Sequence, residues 1–409
     1  MDSLTQIVLG AAVGEVVLGK KLGNRAMVWG AIGGTIPDLD IIVNLFADDM
    51  TSLAAHRGIS HSFFFAFVGS ILFAYLTHKL FSSGLYKERW YRICIAVFQI
   101  IFISLFLTII YGISTIISND QNPVLGVVLL AMIVYMGRYI YRSYTGKYHT
   151  DVAVSFKEWY WFYFWTICTH FALDAFTSYG TQVFQPFSNY KVAFNTISVA
   201  DPLYTVPFLI CLILAGKYHR ATANRSKWNW VGIGVSSIYL TLTVFNKIRV
   251  DKIFEQKFAE RGIQYEKFTA GPSILNNALW TGTVESDTVY HTMMLSIFDA
   301  KDYQQHINVI PKNHELITPY KDTRELQILE WFTNGFYTVN KVEEGYYQLS
   351  DLRYGAMTDT VTSHNDFVFQ FFIDDRGEKF EVTENRTRET DGNVLGELWT
   401  RIKGYPIED

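Results

Sequence analysis

The chain has 409 residues, 49% of them hydrophobic and 16% aromatic, with only 18% charged. A charged fraction that far below the roughly 25% of soluble domains excludes a wholly soluble or disordered protein. The charge is also uneven: residues 1–245 hold 17 Lys and Arg against 12 Asp and Glu, and residues 246–409 hold 18 against 27. This divides the chain into a membrane-embedded part, 1–245, and a soluble part, 246–409. The basic residues of the first part lie between apolar runs and form no stripe for phosphates, so nucleic acid is excluded as a partner. Cys94, Cys168 and Cys211 all fall in apolar segments and supply neither a disulfide framework nor a CxxC knuckle.

In chain order, eight apolar segments predict an all-α polytopic bundle of about eight passes or near-passes. The first two, 4–19 and 26–36, are short and rich in Gly and Ala, so they read as interior helices whose backbones approach closely. Segments 62–77, 92–118, 123–141, 158–176, 203–216 and 228–245 follow, several of them shorter than the ~20 residues that span a bilayer. If segment ends alternate, one side receives 15 basic residues and the other only Arg57 and Lys191. By the positive-inside rule the N-terminus and everything after Phe245 then lie outside the cytoplasm. Residues 247–261 read as a charged amphipathic helix leaving the membrane. The remainder predicts a soluble α+β domain without disulfides, with strands of an antiparallel sheet in 281–298, 335–347 and 367–372 and helices at 326–332 and 395–402.

Four polar clusters sit in or beside the loops of the basic-poor side. Pro37-Asp38-Leu39-Asp40 closes the second segment and brings two carboxylates to a membrane boundary, where charge is expensive unless paired or coordinated. His56-Arg57-Gly58-Ile59-Ser60-His61-Ser62 precedes the Phe-rich segment; its histidines, five apart, converge only if one lies on the loop and the other in the first helical turn. Ser60 is an alternative N-cap there. His170 and Asp174 are spaced i,i+4, which stacks them on one helix face as two ligands of one metal or as a simple hydrogen-bonded pair. Asp201-Pro202 reads first as a helix N-cap with Pro at N1. Glu15, deep in the first segment, is expected to pair with a nearby cation of the basic side such as Lys20 or Lys21, or else to hold a buried structural hydrogen bond. Imidazoles and carboxylates gathered on one face of the bundle suit Zn or another first-row divalent ion, one or two in number.

The strings Met1-Asp2-Ser3-Leu4-Thr5 with Gly10, Pro37-Asp38-Leu39-Asp40, His56-Arg57-Gly58-Ile59-Ser60-His61-Ser62, and His170-Phe-Ala-Leu-Asp174-Ala-Phe-Thr177-Ser-Tyr-Gly180-Thr181 resemble the LexA-regulated, YdjM-like family of inner-membrane metal-dependent hydrolases. The resemblance covers residues 1–245 and leaves the remainder without a relative. It implies a metal hydrolase of the bacterial inner membrane, distantly like zinc-dependent phospholipase C, and names no substrate. Members often carry His after the N-terminal Thr, where this chain has Gln6; the site then loses a ligand or replaces it with an amide oxygen.

These readings converge on a membrane-bound metal-dependent hydrolase with its site at the outer face of the membrane. The expected metal ligands are Asp38, His56, His61, His170 and Asp174. Asp40 is expected to take a proton from the attacking water and Arg57 to pair with phosphate oxygens. Membrane lipids are the expected surroundings and a lipid or lipid-linked phosphoester the expected substrate. The rival reading is a non-enzymatic scaffold or transporter with a structural metal and a partner-binding tail. A transporter would place its ionisable groups near the bilayer midplane in repeated halves, and no repeat is visible. HExxH is absent, which removes that metalloprotease pattern.

Overall fold

The structure, a computed structural model, describes the chain apart from residues 119–121, 146–152, 301–302, 378–379, 386–393 and 406–409. It opens with α1 (Ser3–Leu22) and α2 (Asn24–Thr35). Asp2 caps α1, its carboxylate accepting from the Thr5 N–H at 3.1 Å, which satisfies one of the free donors of a helix start. The two helices then pack backbone to backbone. A Cβ on Gly10 would stand 2.4 Å from the Gly30 carbonyl oxygen, and one on Gly14 2.4 Å from that of Ala26. The small residues of both segments serve this approach. Glu15 pairs with a cation of the basic side, as expected, but a distant one: its carboxylate accepts two hydrogen bonds of 2.6 Å from Arg225, while Lys20 and Lys21 stay on the exposed last turn. The flat guanidinium fork matches a buried carboxylate in a way that an ammonium does not.

After α2 the chain bends by 49° into a 3-10 turn, Pro37–Leu45. Then come α3 (Asp49–Ala55), α4 (Phe63–Ser82), α5 (Arg89–Ser118), α6 (Pro123–Thr145), α7 (Phe156–Asp174), α8 (Pro202–Lys217) and α9 (Ala223–Glu260). All eight expected apolar segments are helical, and the expected count of about eight passes or near-passes is not confirmed. Among the described residues four helices, α1, α4, α6 and α9, are long and apolar enough to cross a membrane, or five if α2 and the turn after it form one broken span. With 12 residues α2 is too short by itself, and α8 has only 16.

The boundary expected at 245 falls inside α9, which runs for 38 residues without a break. The expected helix 247–261 is its far end, where Val250, Phe254 and Phe258 enter the core of a sheet. That sheet is antiparallel, in the order β1 (Lys267–Pro272), β2 (Leu279–Glu285), β3 (Val289–Ser296), β4 (Asn308–Pro311). The run 281–298 is thus the β2–β3 hairpin. Next comes α10 (Arg324–Thr333), then a second antiparallel sheet of β5 (Tyr337–Glu343), β6 (Tyr346–Ala356), β7 (Phe367–Asp374) and β8 (Glu381–Glu384), and last α11 (Val394–Ile402). Two sheets therefore stand where one was expected. The second buries α10 against Val339, Leu349 and Phe371, and it also takes Met50 and Leu53 of α3 into its core.

Residues Met1–Ser70 with Trp161–Asp409 form one compact unit, and Ile71–Tyr160, built around the α5–α6 pair, forms another. Every residue of the site described next belongs to the first unit.

Candidate metal centre

Three stretches of chain deliver the donors. Asp38 lies in the first turn of Pro37–Leu45, His61 ends a short 3-10 turn, Ile59–His61, just before α4, and His170 and Asp174 share one face of the last turns of α7. One donor atom from each of these four residues lies within 4.8 Å of all the others. His61 Nε2 stands 3.4 Å from both Asp38 Oδ1 and Asp174 Oδ2, and His170 Nε2 stands 3.4 Å from the same two oxygens. The two Nε2 atoms are 3.1 Å apart.

The tautomers explain why this group suits a cation. His170 Nδ1 meets the Gly34 carbonyl at 2.5 Å; a carbonyl only accepts, so Nδ1 carries a proton, and in the neutral ring Nε2 then presents a lone pair. His61 Nδ1 faces Ser60 Oγ at 3.0 Å and Asp40 Oδ2 at 3.4 Å, which assigns its Nε2 the same state. With both rings neutral, two lone pairs and two carboxylate oxygens converge on one point. Asp174 Oδ2 and Gln6 Oε1 are buried without a hydrogen-bond donor. Four ligands around one ion at about 2.0–2.1 Å stand about 3.4 Å apart, the size of the nitrogen–oxygen separations here, so the four residues could hold a metal ion.

Supporting groups fix each ligand, as outer-shell partners commonly do. Gln6 Nε2 donates to Asp174 Oδ1 at 2.9 Å and to the His170 carbonyl at 3.2 Å, and the Met1 nitrogen also meets Asp174. This arrangement spends both N–H bonds of Gln6 on acceptors, so Gln6 steadies Asp174. Arg57 sits in the left-handed region at φ +52°, only 5% exposed, with Nε 3.4 Å from Asp174 Oδ2 and Nη1 donating to Thr177 Oγ1 at 2.8 Å. The other face of its guanidinium stacks on the Tyr179 ring at 5.0 Å.

His56 and Asp40, expected as a ligand and as a proton acceptor, are paired with each other beside the cluster. His56 Nδ1 meets Asp40 Oδ1 at 3.1 Å, and its ring centre is 6.3 Å from that of His61, outside the group of four. Asp40 Oδ2 accepts the Arg57 backbone N–H at 2.8 Å besides facing His61. Asp201 is the N-cap of α8, accepting from the Leu203 N–H at 2.9 Å and the Tyr239 hydroxyl at 2.8 Å, so it takes no part. Ser62 rather than Ser60 starts α4, accepting from the Phe65 N–H at 3.1 Å.

Sequence reasoning missed Tyr179 and Lys191. Lys191 Nζ donates to the Phe332 carbonyl at 2.9 Å and stands over the rings of Phe332, Trp331 and Tyr179. Burial, with the Arg353 guanidinium assisting, holds its pKa down at about 6, and burial pushes the Tyr179 hydroxyl well above its ordinary range. An isolated lysine in a polar loop gives no sign of this, because its partners lie some 140 residues further on.

The family described as YdjM inner membrane protein matches residues 1–117 and 123–250, and the chain belongs to this family. It is a protein of an inner-membrane family with a four-residue group that could hold a metal ion. No curated protein and no solved structure matches it.

Proposed function

We propose that this member of the YdjM family is a metal-dependent hydrolase whose site opens at the outer face of the membrane and acts on a lipid or lipid-linked phosphoester. The convergence of Asp38, His61, His170 and Asp174 on one point carries this reading. Asp38, His61, His170 and Asp174 would hold a divalent ion, zinc by the donor set, which would supply Lewis acidity and lower the pKa of a bound water. Asp38 is the most exposed of the four, its side chain 27% accessible against 0–1% for the rest, so substrate approaches on its side. Asp40 holds His61 and His56 in place. His56, 37% exposed and bound through Nδ1, receives the proton of the attacking water at Nε2. Arg57 provides positive charge beside the cluster for phosphate oxygens.

Purified protein should therefore contain stoichiometric metal and cleave a phosphoester lipid in mixed micelles. His170→Ala should lose both, while His219→Ala, on an exposed turn, should keep both. Arg57→Lys should lose turnover by about tenfold or more, because Lys retains charge without the planar fork. Four protein donors also complete a tetrahedron, which is the habit of structural zinc sites, and this favours a scaffold as the second reading. Metal without turnover on any phosphoester lipid would select it.

A further inference from the structure

The C-terminal domain touches the site at three places, each on a loop that carries a ligand or its support. The first is α3, which joins Asp40 to His56: Met50 and Leu53 are buried in the core of the second sheet, Arg324 donates to Thr51 Oγ1 at 2.5 Å, and the Glu384 N–H donates to Asp49 at 3.1 Å. The second is Tyr179, five residues past Asp174. Its ring packs on that same core, 5.2 Å from the Phe332 ring, while its other neighbours are Arg57 and, at 5.0 Å, His56. The third is the loop around Lys191, fastened by Lys191 Nζ to the last turn of α10 and by the Trp331 indole N–H donating to the Asn189 carbonyl at 3.0 Å. A lysine on the closing carbonyls of a helix is favourably placed.

From these contacts we infer that the C-terminal domain braces the metal centre, with Tyr179 and Lys191 as positioning residues that hold Arg57 and the α3–His61 loop against the ligands. The inference rests on the reading of Asp38, His61, His170 and Asp174 as metal ligands and adds the part played by residues 263–405. The line of contact runs from Phe332 through the Tyr179 ring to the Arg57 guanidinium and so to Asp174. Arg57 lies in a left-handed conformation that a side-chain-bearing residue seldom adopts unless its surroundings enforce it. Loosening Tyr179 therefore frees Arg57 to leave Asp174, and the ligand loses its orientation before any ligand is changed.

The test uses the full chain in detergent, with Zn²⁺ affinity measured by chelator competition and Tm recorded alongside. Tyr179→Leu should weaken zinc binding by about tenfold or more, the scale of lost outer-shell support. Tyr179→Phe keeps the ring and should stay within about twofold. Leu295→Ala, in the core of the first sheet, should lower Tm and leave zinc affinity unchanged. Lys191→Met, which opens no core, should weaken zinc severalfold and decides the matter should Tyr179→Leu not fold. Unchanged affinity in both Tyr179→Leu and Lys191→Met overturns the brace, as does an equal loss in Leu295→Ala. An unaltered chain that binds no zinc removes the metal reading itself and the brace with it, a result separable from the others because no variant is needed to see it.

Discussion

Glu15 and Arg225 illustrate what a single residue contributes. Both are buried, and two hydrogen bonds of 2.6 Å join α1 to α9 across 210 residues of sequence. Removing one partner leaves a buried charge without compensation, which costs about 3–5 kcal/mol, whereas replacing both with neutral groups costs far less. Glu15→Gln should therefore lower the Tm in detergent sharply, and the double variant Glu15→Gln/Arg225→Met should recover much of the loss; equal Tm values for the two would refute the pairing argument. Lys191 makes a pH-dependent contribution. An unfolded lysine titrates near 10.5 and the folded one at about 6, facing Arg353, Arg57 and Asp351. The unfolded chain thus binds the extra proton between these values, so stability falls as pH drops from 10.5 toward 6. Lys191→Met should flatten that part of the Tm-versus-pH profile, and an unchanged slope would place the pH dependence elsewhere.

Among the elements, α1 and α2 carry the sharpest steric demand. A Cβ on Gly30 would lie 2.3 Å from the Gly10 carbonyl oxygen and 2.9 Å from the Gly14 Cα, both backbone atoms that cannot step aside alone. Gly30→Ala must push the helices apart, at a cost of about 1–3 kcal/mol or more for overpacking. Because α1 carries Gln6 and α2 leads into Asp38, the separation should also weaken zinc binding; a normal Tm with normal zinc affinity would count against this. Here the sequence was legible, since Gly and Ala clustering announces close helices. The i,i+4 pair His170 and Asp174 was legible for the same reason: both signals are local. The partner of Glu15 was not, because a carboxylate in a helix does not state which distant cation will face it. His56, expected among the ligands, lies outside the group of four, because a loop's direction depends on what holds it. Asp40 holds this one, through His56 and the Arg57 N–H.

At the scale of the whole molecule, eight apolar segments became eight helices but, among the described residues, four or five candidate spans, because apolar content alone does not separate a spanning helix from an interior one. The continuity of α9 into the core of the first sheet likewise shows why a charge shift near 245 marks a change of surroundings and no break in structure. Lys191, Tyr179 and α3 join the C-terminal domain to the loops of the metal cluster, so domain and site must share one side of the membrane. The positive-inside rule, read on the sequence alone, predicts the exterior: 15 of the 17 Lys and Arg in residues 1–245 fall between alternate apolar segments, and the rule assigns those stretches to the cytoplasm. Reporter fusions after Tyr86 and Asn224 should report the cytoplasm, and one after Lys257 the exterior. A fusion after Lys147, a position outside the described residues, should also report the cytoplasm. A cytoplasmic signal after Lys257 would put the metal cluster on the inner face too, since the contacts that join it to the C-terminal domain allow no other arrangement, and a substrate from the outer leaflet would then be excluded.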